Sequence, residues 1–142
     1  MIAIVEIPKG SSYKYELKHD VLILDRVLSI PYPENYGYIP NTLWYDGDPL
    51  DVFIISNEPI QPKAHLEIEL LGIIEMNDNG QSDDKLIAKI KGTDVYSHVG
   101  DIYTFLENYK SGVFLKKIKG PKEALETLKL AEEMYLKGGH ES

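Results

Sequence analysis

Residues 46–55 read Asp46-Gly47-Asp48-Pro49-Leu50-Asp51-Val52-Phe53-Ile54-Ile55. Three carboxylates in six residues run straight into an apolar, β-branched stretch, the mark of a buried strand over Asp51–Ile55. Gly47 permits tight backbone geometry and Pro49 fixes φ, so the loop is rigid. Carboxylates this close repel one another unless a cation or a proton intervenes. Hard divalent cations prefer such ligands. The same hexapeptide also fits a solvated turn, because Asp-Gly and Asp-Pro are ordinary turn formers.

Outward from this stretch, most segments read as short strands separated by Gly, Pro, Asn and Asp turns. Strands are expected over Met1–Ile7, Tyr13–Leu17 and Val21–Leu28. Leu66–Glu75 and Lys85–Lys91 flank a polar turn, Asn77–Asp84, and read as a hairpin with a long loop. Val113–Ile118 reads as a final strand. Pro31–Pro40 (PYPENYGYIP) contains three prolines, which remove ladder donors, so it reads as an ordered loop rather than a central strand. Two segments have helical period: Asp101–Lys110, with Ile102, Phe105, Leu106 and Tyr109 on one face, and Pro121–Lys137, with Ala124, Leu128, Ala131 and Tyr135 on one face. Pro121 suits a first turn, and Gly138-Gly139 ends the second helix. The expected fold is a single α+β domain over 1–142, a closed β-barrel with two helices packed outside. The tail at 139–142 is expected to fray.

The chain has 142 residues, 15 Lys+Arg against 23 Asp+Glu, a net charge of −8 and no cysteine. Zero Cys removes disulfide scaffolds, thiol catalysis and thiolate metal sites. The acidic balance, with Arg26 the sole arginine, opposes an electrostatic nucleic-acid binder or a polybasic membrane binder. No apolar run approaches the roughly 20 residues that span a bilayer. Met1–Glu6 lacks a basic n-region and reads as a strand rather than a signal peptide, so the cytoplasm is the expected location. The histidines His19, His65, His98 and His140 show no metal-ligand spacing and read as surface or loop residues. Neither a Gly-x-Ser-x-Gly elbow nor a Walker loop is present.

Other candidates surround the acidic loop. Asp78, Asp83 and Asp84 sit in the hairpin turn, where a polar tip is the simpler reading. Glu6 lies in an otherwise apolar strand and needs a partner if buried. Arg26 suits bidentate phosphate binding or an ion pair with Asp25. Lys14, Lys85 and Lys110 each lie beside an acid or a tyrosine, although a solvated surface position is the simpler reading of any one lysine. Tyr32, Tyr36 and Tyr38 cluster just upstream of the acidic loop, large apolar rings with hydroxyls to satisfy.

The order of these motifs resembles the soluble inorganic pyrophosphatases of the Mg²⁺-dependent, barrel-fold family (family I). The resemblance runs through VEIPKG with Glu6, Lys14-Tyr15-Glu16, Asp25-Arg26, Tyr32 to Ile39, Asp46 to Val52, Met76-Asn77-Asp78 with Asp83-Asp84-Lys85, and Tyr109-Lys110. It implies a five-stranded OB-type closed barrel with two outer helices. It implies Mg²⁺-dependent hydrolysis of pyrophosphate to two orthophosphates by in-line attack of a metal-activated water, with several Mg²⁺ per site and Mn²⁺ or Zn²⁺ as substitutes. By resemblance, Asp46, Asp51 and Asp83 are ligands of the activating metals. Asp78 and Asp83 bind a metal arriving with substrate, and Glu6 reaches another through water. Asp48 is the general base. Lys14, Arg26, Tyr36, Lys85, Tyr109 and Lys110 hold the phosphoryl groups, and Glu16 and Tyr32 are supporting cavity residues. A homo-oligomer, with a hexamer favoured, is implied as well.

There are departures. The chain begins directly at the Glu6 strand, the segment from Ile87 to Ile102 is short, Asn79 stands where relatives often have an acid, and Ser111–Leu115 offers no further lysine. These are expected to alter affinity or oligomer contacts rather than reaction type. A calcium-binding module would not need Lys14, Arg26, Lys85 or Tyr109-Lys110. An OB-type nucleic-acid binder stacking bases on the tyrosines is opposed by the charge. A degenerate homologue is opposed by the presence of every catalytic carboxylate. The proposed site gathers seven acids and four cations, net −3 of the chain's −8, so it attracts metals first and becomes receptive to an anion once loaded.

Overall fold

A computed structural model describes residues 1–95 and 99–139. His98, His140 and the end of the expected frayed tail lie outside the described residues. The elements are β1 (Ile2–Ile7), β2 (Tyr13–Lys18), β3 (Val21–Val27), β4 (Asn35–Tyr38), β5 (Asp51–Ile55), β6 (His65–Asp78), β7 (Gln81–Ser82), β8 (Lys85–Ile90), α1 (Val99–Asn108), β9 (Val113–Lys119) and α2 (Pro121–Met134). The chain then continues in a wide turn over Tyr135–Gly139, broken by non-helical backbone at Gly138.

Strands β1, β4, β5, β8 and β6 pair in that order, and β6 pairs back onto β1, closing a five-strand ring. The ring is antiparallel except for β5–β8, which run parallel with Asp51 opposite Lys85. Full closure leaves the ring no unpaired edge. The long strand β6 also pairs with β7 and β9 outside the ring. β2 and β3 form a separate two-stranded hairpin.

Side chains alternate faces every two residues, and β5 divides the interior accordingly. Val52 and Ile54 join one buried cluster with Ala124, Leu128 and Ala131 of α2. Phe53 and Ile55 join a second with Ile102, Phe105, Leu106 and Tyr109, which α1 supplies with the residue just past it. The buried residues of both helices belong to the apolar stripes expected of them, one stripe packing with each set of alternating β5 side chains. Pro121 stands in the first turn of α2 as expected. The helix expected over Asp101–Lys110 instead spans Val99–Asn108, which leaves Tyr109 and Lys110 beyond its end.

The reading of Pro31–Pro40 as a loop is corrected. Asn35–Tyr38 is a ring strand between β1 and β5. Its flanking prolines, Pro33 and Pro40, stand outside the paired residues, so no ladder N–H is lost. Gly37 makes the pairing possible: a Cβ there would lie 1.9 Å from the Ile4 carbonyl oxygen. Gly37→Ala is therefore expected to cost about 3 kcal/mol through forced backbone displacement. Urea unfolding measures it, and a loss below about 1 kcal/mol contradicts the close approach.

Candidate active site

A cavity of about 520 Å³ lies beside α1, whose Phe105 and Leu106 help to line it. Period-two alternation brings its polar groups together. On β5, Asp51 shares a face with Phe53. On β8, Lys85 shares a face with Ile87. On β4, Tyr36 lies opposite Phe53. A bulge between Val5 and Ile7 breaks the alternation of β1, and both Glu6 and Ile7 line the cavity.

Backbone hydrogen bonds hold the acidic loop. Thr42 Oγ1 accepts the Leu50 N–H at 2.9 Å, and the Trp44 N–H donates to the Asp48 carbonyl at 2.9 Å. Asp46 Oδ1 accepts the Asp48 N–H at 3.1 Å. Gly47 sits at φ +86°, a left-handed conformation glycine adopts without strain. Asp46 is thereby aimed at Asp51 and Asp83, and carboxylate oxygens of the three lie within 4.8 Å of one another.

One cation faces this triad. Lys85 Nζ donates to Asp51 Oδ2 at 2.7 Å, to Asp83 Oδ1 at 3.0 Å and to the Tyr36 hydroxyl at 2.8 Å. Lys85 is 3% exposed. Burial alone would lower its pKa, but Asp51, Tyr36 and Asp83 outweigh it and hold it well above the usual lysine value. Burial raises Asp51, and Asp83 adds to that against the pull of Lys85. Burial also raises Asp46 to about 7, assisted by a hydrogen bond with Asp83. Glu6 is raised to about 7 by burial, although its carboxylate accepts the Leu17 N–H at 2.8 Å. Oxygen donors at this density, with one already holding its proton to near neutrality, fit a hard divalent cation.

The remaining expected residues fall as follows. Asp48 is exposed and lines the cavity. Asp78, at the end of β6, accepts hydrogen bonds from Lys110 Nζ and, at 3.0 Å, from Asn79 Nδ2. Lys14 lines the cavity and pairs with Asp25 at 2.6 Å. That hydrogen bond holds Asp25 below the usual carboxylate range. Glu16 lines the cavity and lies 3.8 Å from Lys18. Tyr32 is buried against Tyr36 and Phe105, with ring centroids 5.3 and 4.5 Å away. Tyr109 lines the wall and is raised by burial.

Arg26 stands apart. It is not among the lining residues, and its Nη2 lies 3.5 Å from the Tyr109 carbonyl oxygen at the cavity's margin. Tyr38, singled out in the sequence but given no role, lines the cavity, as do Asn79 and Gln81, which were not expected in the site. Tyr38 would have followed from Tyr36 by alternation, had β4 been read as a strand. Asp84, 9% exposed, braces the hairpin turn by accepting the Met76 N–H at 3.0 Å. The turn around Asp83 and Asp84 is thus buried rather than a solvated tip.

A closed α+β barrel whose cavity mixes clustered carboxylates with lysines and tyrosine hydroxyls is a site suited to cations and oxyanions together. The chain belongs to the inorganic pyrophosphatase family, whose sequence model matches residues 3–135. It is 38% identical to an inorganic pyrophosphatase of Nanoarchaeum equitans, over 95% of this chain and 97% of that one. It is 39% identical to soluble inorganic pyrophosphatase 2 of Chlamydomonas reinhardtii, over 93% of this chain and 79% of the relative. Its fold superposes on the inorganic pyrophosphatase of Helicobacter pylori with a TM-score of 0.88 at 32% identity, covering 96% of this chain and 93% of that one.

The raised carboxyls carry a pH signature. Glu6 and Asp46 keep protons in the folded, metal-free chain from their ordinary values of 4.5 and 3.8 up to about 7. The unfolded chain has released those protons across that window, so stability falls as pH rises through it. Thermal melts in EDTA are expected to lose several degrees between about pH 5 and about pH 8. A midpoint that rises across this range contradicts the burial of these groups.

Proposed function

We infer that this protein hydrolyses inorganic pyrophosphate to two orthophosphates with the help of divalent metal ions, Mg²⁺ foremost. The observation that carries this reading is the convergence of Asp46, Asp51 and Asp83 beside Lys85 in the cavity of a chain of this family. Several Mg²⁺ ions per site, with Mn²⁺ or Zn²⁺ as substitutes, complete the cofactor proposal. Asp46, Asp51 and Asp83 would hold the activating ions, Asp78 and Asp83 a further one, and Glu6 another through water. When bound there, such ions neutralise phosphate charge and lower the pKa of water.

The chain's own residues do the rest. Asp48, exposed and lining the cavity, is the proposed general base that takes the proton from the attacking water. A new P–O bond then forms in line with the bridging P–O bond, which breaks and leaves its electron pair on the departing phosphate. Lys14, Arg26, Tyr36, Lys85, Tyr109 and Lys110 donate to the phosphoryl oxygens and take up that charge. Glu16 and the buried ring of Tyr32 shape the cavity. Among the described residues no helix is long and apolar enough to cross a membrane. A cytoplasmic setting and a homo-oligomer, a hexamer for preference, belong to the same proposal. The exposed apolar side chains Tyr13, Val21, Ile23 and Val27 of the β2–β3 hairpin support association.

Purified protein is expected to release phosphate from pyrophosphate with Mg²⁺ and to stop on addition of EDTA. No release with Mg²⁺ present would end the proposal. Asp48→Asn should lower kcat on the order of 100-fold with little change in Mg²⁺ affinity. Asp51→Asn should instead weaken Mg²⁺ binding by about tenfold or more. Steady-state rates against Mg²⁺ concentration separate the two, and wild-type turnover by both variants contradicts the roles.

A further inference from the structure

We propose that Lys85 is the site's built-in cation. Its ammonium neutralises Asp51 and Asp83 until a divalent ion displaces it, and the displaced ammonium then becomes the donor for a phosphoryl oxygen. This rests on the reading that Asp46, Asp51 and Asp83 hold a divalent metal, and it adds an order to the binding events.

The argument starts from donor counting. A lysine ammonium has three N–H donors and no more. Lys85 spends them on Asp51 Oδ2 at 2.7 Å, Asp83 Oδ1 at 3.0 Å and the Tyr36 hydroxyl at 2.8 Å. None is left for a phosphate. Lys85 therefore cannot bind substrate while it holds the arrangement seen here. The two carboxylates it occupies are also two of the three whose oxygens converge within 4.8 Å. An ion bound to those oxygens would lie within a few ångströms of Nζ, and two cations that close repel strongly in a buried setting. One exchange thus resolves both conflicts. The metal takes the carboxylates, and the ammonium swings on its four-carbon stem with donors freed.

The backbone limits that movement to the side chain. Lys85 opens β8 directly opposite Asp51 in the parallel β5–β8 ladder, so its Cα is fixed by the ring. Tyr36 supplies an anchor that is not a metal ligand, with its hydroxyl at 2.8 Å and its ring centroid 5.4 Å from Nζ. The freed ammonium therefore stays in the cavity beside Tyr36. Lys14 and Lys110 differ, because each pairs with a carboxylate outside this triad, Asp25 and Asp78 respectively. Metal occupancy and phosphate affinity are coupled through Lys85, and such coupling is reciprocal.

The test compares Mg²⁺ binding by calorimetry, without substrate and at one fixed pH for all variants. Lys85→Met removes the internal competitor and should bind Mg²⁺ about tenfold tighter than the wild type. Lys85→Arg keeps the charge and should bind no tighter than the wild type. In parallel, reductive methylation of the folded wild-type chain, read by peptide mass spectrometry, should label Lys85 faster with Mg²⁺ than with EDTA. If the Lys85→Met chain does not fold, the labelling decides. Equal or weaker Mg²⁺ binding by Lys85→Met, or labelling of Lys85 unchanged by Mg²⁺, overturns the inference while leaving the proposed activity intact. A wild-type chain that binds no Mg²⁺ and releases no phosphate from pyrophosphate overturns the activity and this inference together.

Discussion

Three carboxylates with oxygens inside 4.8 Å, at the half-buried end of a barrel, oppose the natural tendency of like charges to separate. Nearly every local feature of the protein answers that opposition. Asp46 retains a proton to about pH 7. Lys85 is drawn into contact with Asp51 and Asp83. The loop carrying Asp46 is tied by Thr42 and Trp44 so that it cannot relax outward. Asp83 is fixed from the other side, since its N–H donates to the Met76 carbonyl and its neighbour Asp84 accepts the Met76 N–H. The concentration of negative charge is thus maintained by the fold against its own repulsion.

Closure of the ring makes this possible. In an open sheet, β1 and β6 would be free to splay and the end of the barrel could widen. Here β1 pairs with β4 on one side and β6 on the other. The side chains of β5 then have two fixed destinations. Val52 and Ile54 anchor α2, while Phe53 and Ile55 anchor α1 beneath an aromatic floor that includes Tyr32, Tyr36 and Phe105. The rigid floor places Tyr36 and Tyr109 at the cavity wall. Position on the barrel thus follows from burial, and chemistry follows from position.

Much of this was legible in the sequence because the signals are local. The apolar run after Asp51, the helical stripes of α1 and α2 and the polar hairpin turn each announce themselves within a dozen residues. Asp83 lies far along the chain from Asp46 and Asp51, and a family resemblance grouped the three before the geometry did. What was not legible depends on partners far along the chain. β4 was hidden because three prolines suggest a loop, whereas only its pairing with Ile4 and Phe53 reveals a strand. Tyr38, noticed in the sequence, was given no role for the same reason. The strand expected over Val21–Leu28 is present as Val21–Val27, but the sequence did not show that it lies in a hairpin outside the ring with Val21, Ile23 and Val27 exposed. Arg26 sits on that hairpin, at the margin rather than within the lining. The three-way bonding of Lys85 also has no sequence signature, since Tyr36 is 49 residues away.

The charge gathered at Asp46, Asp51 and Asp83 is proposed as a binding site for a divalent ion. Its most direct measurement is anomalous scattering from crystals grown with Mn²⁺ and inorganic phosphate. The expected result is an anomalous peak coordinated by oxygens of all three aspartates, with phosphate oxygens beside it and Lys85 Nζ moved off Asp51 and Asp83. A well-diffracting crystal that places Mn²⁺ elsewhere, with the three carboxylates still bonded only to Lys85 and to each other, would contradict it.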